Sequence, residues 1–451
     1  MPVNPWYTSD ELVAAVQRKI AFPLSQNTFQ EQDILDFANE EMMIAQVPSV
    51  MEFHQEYYVE TAMLPLQSNI SSYPIPNRAI GNKLRDIFYV DNNNNFVEMT
   101  RVNADDRAFF QANIASSNSV YKFFLQGNDI VVTPAITEEV YGSLMMVYFI
   151  RPNQLVPNDN AATITGFQET ITINNSFINN NDTITITPGL IGLFFNSNGF
   201  PNYYANSAPT PLVFTAVTGT PSTDQFQIGA TSTITASNLA NLINTDGTYT
   251  AIASGPVVTL YYSQNQTSFQ TSNTTNGIVL STGVQVIVNS VPSQITNGSV
   301  VDVLQTDGAH KALAIDIKLG KNAISGNVIQ LPVIQIPQAA IASGVPITPS
   351  IPTNLSPYNM SVGDYICLAT KCIIPEIPTD IHISLIERTC SRILAAMGDT
   401  QGMQVQEAKI QQVEKNQGTL IDNRVEGSPM KVLARHSLAR FGKMGPRRNL
   451  S

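Results

Sequence analysis

Hydrophobic residues recur at helical spacing twice near the start of the chain. Leu12, Val16 and Ile20 share one face behind Thr8-Ser9-Asp10-Glu11, and Ile34, Leu35, Ala38, Met42 and Ala45 do so behind Thr28-Phe29-Gln30-Glu31. Each tetrapeptide reads as a capping box, whose hydroxyl and carboxylate satisfy amide donors that the first turn leaves free. Pro23 is expected to end the first helix and Val47-Pro48 the second, because proline lacks the amide hydrogen and restricts the residue before it. The pattern predicts a helical hairpin. From Tyr57 the period shortens to two, so residues 57–64, 83–90, 121–125, 129–133 and 141–150 are expected as strands, with Gln126-Gly127-Asn128 a turn between two of them.

Beyond residue 156 the pattern becomes Thr-, Ser- and Asn-rich with short alternations, such as Thr183-Ile184-Thr185-Ile186-Thr187 and Val284-Gln285-Val286-Ile287-Val288. Such alternation of β-branched residues marks strands. One short helix is expected at 236–244. Stretches at 153–159 and 345–357, the second proline-rich, bracket this segment, which reads as an inserted β domain over 157–357. Helical spacing then returns. A strand at 363–369 precedes a helix capped at Thr379 or Asp380, with Ile381, Leu385, Ile386, Ile393 and Met397 inward and Gly398 as its stop. A last helix over 401–422 carries only a thin stripe of Met403, Ile410, Val413 and Leu420, which suits an exposed or subunit-packing helix.

The expected fold class is α+β: a helical bundle with a small antiparallel β-sheet, interrupted by an inserted all-β domain. Residues 1–156 and 358–430 would form one composite domain, and 431–451 an extended basic tail. The insertion would project outward and be dispensable for assembly.

Composition narrows the function. Charged residues are 13% of the 451, about half of the usual ~25%, and the net charge is −11. That balance argues against general affinity for nucleic acid. Three cysteines are too few for a disulfide scaffold, and four histidines too few for a histidine-rich metal site. The first residues, MPVNPWYTSDEL, lack a basic region followed by an apolar run, and no apolar run is long enough to span a membrane, so folding in a reducing cytosol is expected. Asn174-Asn175-Ser176 is then composition rather than a glycosylation site. Charge is also unevenly spread. No Lys or Arg occurs between Arg151 and Lys311, whereas 431–451 hold Lys431, Arg435, Arg440, Lys443, Arg447 and Arg448 without an acid. A single aromatic there, Phe441, makes base stacking a poor fit, which leaves a solvated, disordered end or docking on an acidic partner surface.

Catalytic signatures do not accumulate. Gly320-Lys321 is followed by Asn322 and lacks the upstream glycine of a phosphate loop. Cys367 and Cys372, with His382 and Cys390 further on, read as core filling rather than metal ligands. Asp105-Asp106-Arg107 reads as a solvated turn, Asp364 as a strand-start cap, and His54 as a surface ion pair with Glu52 and Glu56. The expectation is a protein without catalytic residues, metal or cofactor.

Several blocks resemble a known family. SDELVAAVQRKIAFPLSQNTFQEQDILDFANEEM, YPIPNRAIGNKLRDIFYV and FFLQGNDIVVTPA, followed by MMVYFIRPNQLV, resemble the head-to-tail connector (adaptor or neck-ring) proteins of tailed bacteriophages. So do GDYICLATKCIIPEIPTDIHISLIERTCSRILAAMGD, QEAKIQQVEKNQ and RVEGSPMKVLARHSLAR. The middle block STITASNLANLINTDGTYTAIASGPVVTLYY looks like a small β module of phage virion proteins, and the size of the insertion departs from compact connectors. The resemblance implies a structural virion protein at the head–tail junction, assembled in the host cytoplasm. It implies a ring of about twelve copies that docks on the portal protein, meets other neck or tail proteins, and lets packaged double-stranded DNA pass without specific binding. Carried onto this sequence, Lys431, Arg435, Arg440, Lys443, Arg447 and Arg448 would thread into the portal. Leu385, Ile393, Met403, Ile410, Val413 and Leu420 would pack neighbouring subunits. The rival reading is a glycan- or fibre-binding virion protein, carried by the insertion with Tyr203-Tyr204 and Tyr261-Tyr262 as its aromatic candidates. A third is that the insertion binds another neck component.

Overall fold

The computed structural model describes residues 7–20, 29–67, 70–91, 95–103, 121–134, 142–188, 212–246, 249–262, 269–274, 276–280, 284–304, 312–332, 360 and 362–421. The first helix, α1 (Ser9–Ile20), begins at the expected box: the Thr8 amide donates to Glu11 Oε2 at 3.0 Å, and the Glu11 amide to Thr8 Oγ1 at 3.4 Å. In α2 (Glu31–Glu41) the box is shifted onto Gln30, whose amide donates to Asp33 Oδ2 at 2.8 Å. The second helix does not stop at Val47. A π-helical turn, Met42–Gln46, carries the chain into α3 (Val47–Phe53), where Pro48 lies in the first turn and its missing amide hydrogen costs nothing.

Two small sheets follow. Their strands are β1 (Val59–Pro65), β2 (Ser72–Pro74), β3 (Ala79–Asp91), β4 (Phe96–Glu98), β5 (Thr100–Arg101), β6 (Lys122–Gln126), β7 (Asp129–Thr133) and β8 (Gly142–Ile150). One sheet has the order β1-β8-β3-β4 and the other β2-β7-β6-β5. Ala62, Tyr73, Ile87, Ile130, Leu144 and Met146 close a shared core between them.

The middle of the chain supplies β9 (Gln154–Leu155), β10 (Ala161–Ile173), β11 (Thr183–Pro188), β12 (Leu212–Val217) and β13 (Gln225–Gln227). After α4 (Ser232–Asp246) come β14 (Tyr249–Ser254), β15 (Val257–Tyr262), β16 (Phe269–Asn273), β17 (Ile278–Leu280) and β18 (Val284–Val288). Then follow β19 (Val300–Leu304), β20 (Ala312–Lys318), β21 (Ile324–Ser325), β22 (Val328–Leu331), β23 (Tyr365–Leu368) and β24 (Lys371–Cys372). A ten-stranded sheet runs β20-β19-β23-β10-β18-β22-β21, with β14, β15 and β17 joined to it through β10. A four-stranded sheet, β13-β12-β11-β16, shares its core with α4 through Ile184, Phe214, Phe226, Leu239 and Ile243. β9 and β24 form a short parallel pair.

Last come α5 (His382–Met397) and α6 (Thr400–Ile421). Gly398, at φ +78°, ends α5 in the left-handed conformation that glycine adopts without a Cβ penalty. Leu385, Ile386 and Ile393 of α5 share one core with Leu12, Val16, Ile34, Leu35 and Val50, so the helices from the two ends of the chain lie together.

The expectation of a helical bundle with a small antiparallel sheet is corrected. Strand outweighs helix among the described residues, and the N-terminal segment alone carries two four-stranded sheets. Three of its strands are two or three residues long, too short to show a period, and three strand pairs of the chain, β5 with β6, β12 with β13 and β9 with β24, are parallel. The sheet also crosses the boundary expected at residue 357, because β23 sits between β19 and β10.

Candidate functional site

The most heavily built polar site lies where three remote parts of the chain meet. Arg78, at the approach to β3, is 7% exposed. Its Nη2 donates to both oxygens of Asp302 at 2.8 Å and to Asp316 Oδ1 at 2.7 Å, Nε donates to Asp316 Oδ1 at 3.0 Å, and Nη1 to Asn153 Oδ1 at 2.9 Å. Asp302 on β19 is fully buried and also accepts from Asn153 Nδ2 (3.0 Å) and from the amides of Asp316 (2.8 Å) and Thr370 (3.1 Å). The pairing of β19 with β20 slips between Val301 and Val303, and Asp316 has φ +56°. A bulge of this kind re-aims side chains, and here it turns both carboxylates onto one guanidinium.

Beside this cluster stands Glu376, from the turn between β24 and α5. Its Oε2 accepts from the Asn153 amide at 2.6 Å, and its main-chain oxygen accepts from Tyr58 Oη at 3.1 Å. Oε1 is buried and has no protein hydrogen-bond partner. Tyr57, Tyr58, Glu60, Arg78, Asn153 and Glu376 border a small cavity of ≈ 70 Å³. Burial pushes the Glu376 carboxyl up to about 7; the Asn153 amide opposes the shift and Asp302 adds to it. Burial likewise raises Asp302, against the pull of Arg78. None of these five residues was a candidate from the sequence. The available signal was a lone charge in an apolar run: Asp302 within Val300-Val301-Asp302-Val303-Leu304, and Glu376 before Ile377 and after Ile373-Ile374-Pro375.

The candidate packing residues fall elsewhere. Leu385 and Ile393 are completely buried in the chain's own core and have no surface to offer a neighbour, while Ile410 is 7% exposed at the edge of a cleft. Met403 and Val413 are half-buried, and Leu420 lies in α6 with its side chain outside the described residues. The thin stripe on α6 is thus partly used within the chain. Arg388 of α5 holds Glu414 of α6 (Nε to Oε1, 2.6 Å) and buried Glu41 of α2 (Nη1 to Oε2, 3.2 Å), while Arg392 also pairs with Glu41. Gln406 of α6 and Lys19 of α1 both bond Glu387. A cleft of ≈ 470 Å³ remains between these helices, with Ile44, Met403 and Ala395 among the residues lining it. Ile44 is 64% exposed and Val405 60%.

Lys431, Arg435, Arg440, Lys443, Arg447 and Arg448 lie outside the described residues, as do Tyr203, Tyr204 and the Asp105-Asp106-Arg107 turn. Tyr261 is half-buried. Cys367, Cys372 and Cys390 are free and buried, with burial pushing the Cys390 thiol up to about 12. His382 is buried, its Nδ1 accepting from the Tyr7 amide at 3.2 Å. Among the described residues no group of three or more His, Cys, Asp or Glu is placed to hold a metal. His54 packs edge-on against Tyr57 at 5.7 Å, and Glu56 pairs with Arg85 instead. No described helix is long and apolar enough to cross a membrane.

No protein-family model matches the chain, and no curated protein matches it. Among solved structures, the D1-D2-D3 domains of the flagellar cap protein from Escherichia coli align over 94% of this chain and 81% of that one. That alignment has 10% identity and a TM-score of 0.15, too low to indicate a common fold.

Proposed function

We propose that this β-rich chain is a structural subunit of a virion neck, of the head-to-tail connector kind, that assembles with copies of itself and docks on the portal. The observation that carries this reading is the helical layer made by both ends of the chain. It is tied together by internally matched ion pairs, yet leaves Ile44, Val405, Ile383 and Met397 exposed at 64%, 60%, 49% and 41%. Isolated apolar residues on a surface are ordinary, but four on one helical layer, with Ile44 at a cleft whose lining mixes apolar and charged side chains, suit a neighbouring subunit. The basic residues of 431–451 would then reach the portal, and DNA would pass an assembly whose subunits carry a net charge of −11.

Light scattering and negative-stain imaging of the purified chain test the reading. Closed rings of about twelve copies are expected, and Ile44→Ser with Val405→Ser should yield monomers that melt at the unaltered temperature. A wild-type chain that stays monomeric alone and with portal would end it. A chain ending at Met430 should fold but dock on DNA-free portal more weakly, with the difference shrinking as salt rises.

The second reading, a glycan- or fibre-binding neck or tail protein, is favoured by the middle segment, where Phe177, Ile252 and Val279 are 58%, 56% and 55% exposed. A trimeric assembly that binds glycans would select it over the ring.

A further inference from the structure

We propose that Glu376 is a proton-operated lock on the seam that joins residues 150–156, 300–304, 312–318 and 370–378: neutral, it keeps the seam closed, and ionised, it loosens it.

The argument begins with matching of charge. The cation that borders the cavity beside Glu376 is Arg78, and its guanidinium is committed to two carboxylates, Asp302 and Asp316, at 2.7–3.0 Å. Glu376 is a third carboxyl at the same place. The other titratable groups facing it cannot compensate a negative charge. Tyr57 and Tyr58, just before β1, and Cys367 and Cys372, on β23 and β24, are all raised by burial and stay neutral, while Glu60 on β1 adds another acid at the cavity. An ionised Glu376 would therefore sit buried with one oxygen held by a single amide and the other bare. Protonation removes that charge and keeps the bond from Asn153.

Position makes the effect reach beyond one side chain. Asn153 donates its amide to Glu376 and its side-chain amide to Asp302, and it accepts from Arg78. Thr370, whose amide also caps Asp302, receives at its carbonyl the amide of Gln154. Loosening Glu376 thus pulls on the two residues that bridge β9, β19 and β24. The ≈ 70 Å³ cavity beside the carboxyl is the opening through which water would solvate the ionised form.

Hydrogen–deuterium exchange on the full wild-type chain, corrected for the intrinsic rate, tests this between about pH 5.5 and 8.5. Amides of Asn153, Asp316 and Thr370 should lose up to about tenfold of their protection between about pH 6 and 8. Glu376→Gln should abolish the pH dependence and hold protection at about pH 8 at the wild-type value of about pH 6. Unchanged wild-type protection over this range, or the same slope in Glu376→Gln, would overturn the proposal. Should the variant fail to fold, pH-difference infrared spectra of the wild type decide. A buried carboxyl band vanishing near neutral pH supports the lock, and its absence defeats it.

Discussion

Replacing Arg78 by methionine should cost about 3 kcal/mol of stability. The figure follows from what is left behind. Asp302 is 0% exposed and would lose two hydrogen bonds of 2.8 Å together with its countercharge. Stranding a buried ion in this way costs roughly 3–5 kcal/mol. Three neutral donors remain on Asp302, from Asn153 and from the amides of Asp316 and Thr370, which puts the estimate at the lower end. Asp316, with its side chain 36% exposed, can turn to water and adds little. A second substitution, Asp302→Asn, removes the stranded charge while keeping similar shape. The double variant should therefore be more stable than the sum of the two singles by about 1–3 kcal/mol. Because the stranded carboxyl binds a proton more tightly folded than unfolded, the deficit of the single variant should shrink as pH falls. Urea unfolding followed by circular dichroism measures all three chains. A loss below about 1 kcal/mol for Arg78→Met, or strict additivity in the double variant, would refute the view that this network clamps the chain.

Ionisation of Glu376 acts in the opposite direction to an ordinary surface carboxylate. With a folded value of about 7 against 4.5, the wild type should lose up to about 3 kcal/mol as pH rises from about 4.5 to 7, and a thermal-melting series should show Glu376→Gln lacking that loss. Leu385→Ala should destabilise the subunit by about 2–5 kcal/mol in denaturant titration, since the side chain is fully enclosed between helices of both chain ends. Gly398→Ala should cost about 1 kcal/mol in the same assay, from backbone strain alone, because its φ is +78° and a Cβ there meets nothing within 4 Å. Replacing residues 158–356 by a linker should yield a protease-sensitive chain, because it strips Arg78 of both aspartates and leaves β23 unpaired on both sides.

Local structure was legible wherever a residue's neighbours in sequence are also its partners. The Thr8–Glu11 box, the turn at Gly127, the strand Asp129–Thr133 and the stop at Gly398 all sit where their spacing put them. Pro48 misled, because the same residue that blocks a helix interior is harmless in a first turn, and only the π-turn before it decides which applies. The stripe on α6 was visible, but not its partner: Ile410 is 7% exposed within its own chain, and nothing in a periodicity tells an intrachain contact from one between subunits. Least legible was the seam. Arg78, Asn153, Asp302, Asp316 and Glu376 are spread over about 300 positions, and no spacing relates them. Only the oddity of a charge amid valines and isoleucines hinted at them, and that oddity names no partner.

The long strand β10 has a consequence for how the protein is made. Its first residues pair with β23, so that Ala161 lies opposite Cys367, about 200 residues later in the chain. During synthesis β10 therefore emerges with one side of its backbone unoccupied, and β19 waits on the other side of the same gap. Until residues 365–368 leave the ribosome, two strand edges with free amides and carbonyls stand open, the kind of surface that recruits strands from other chains. Truncated or stalled products should therefore aggregate, and production should be helped by slow growth or by chaperones that shield strand edges. The last strand to arrive is the one that closes the sheet.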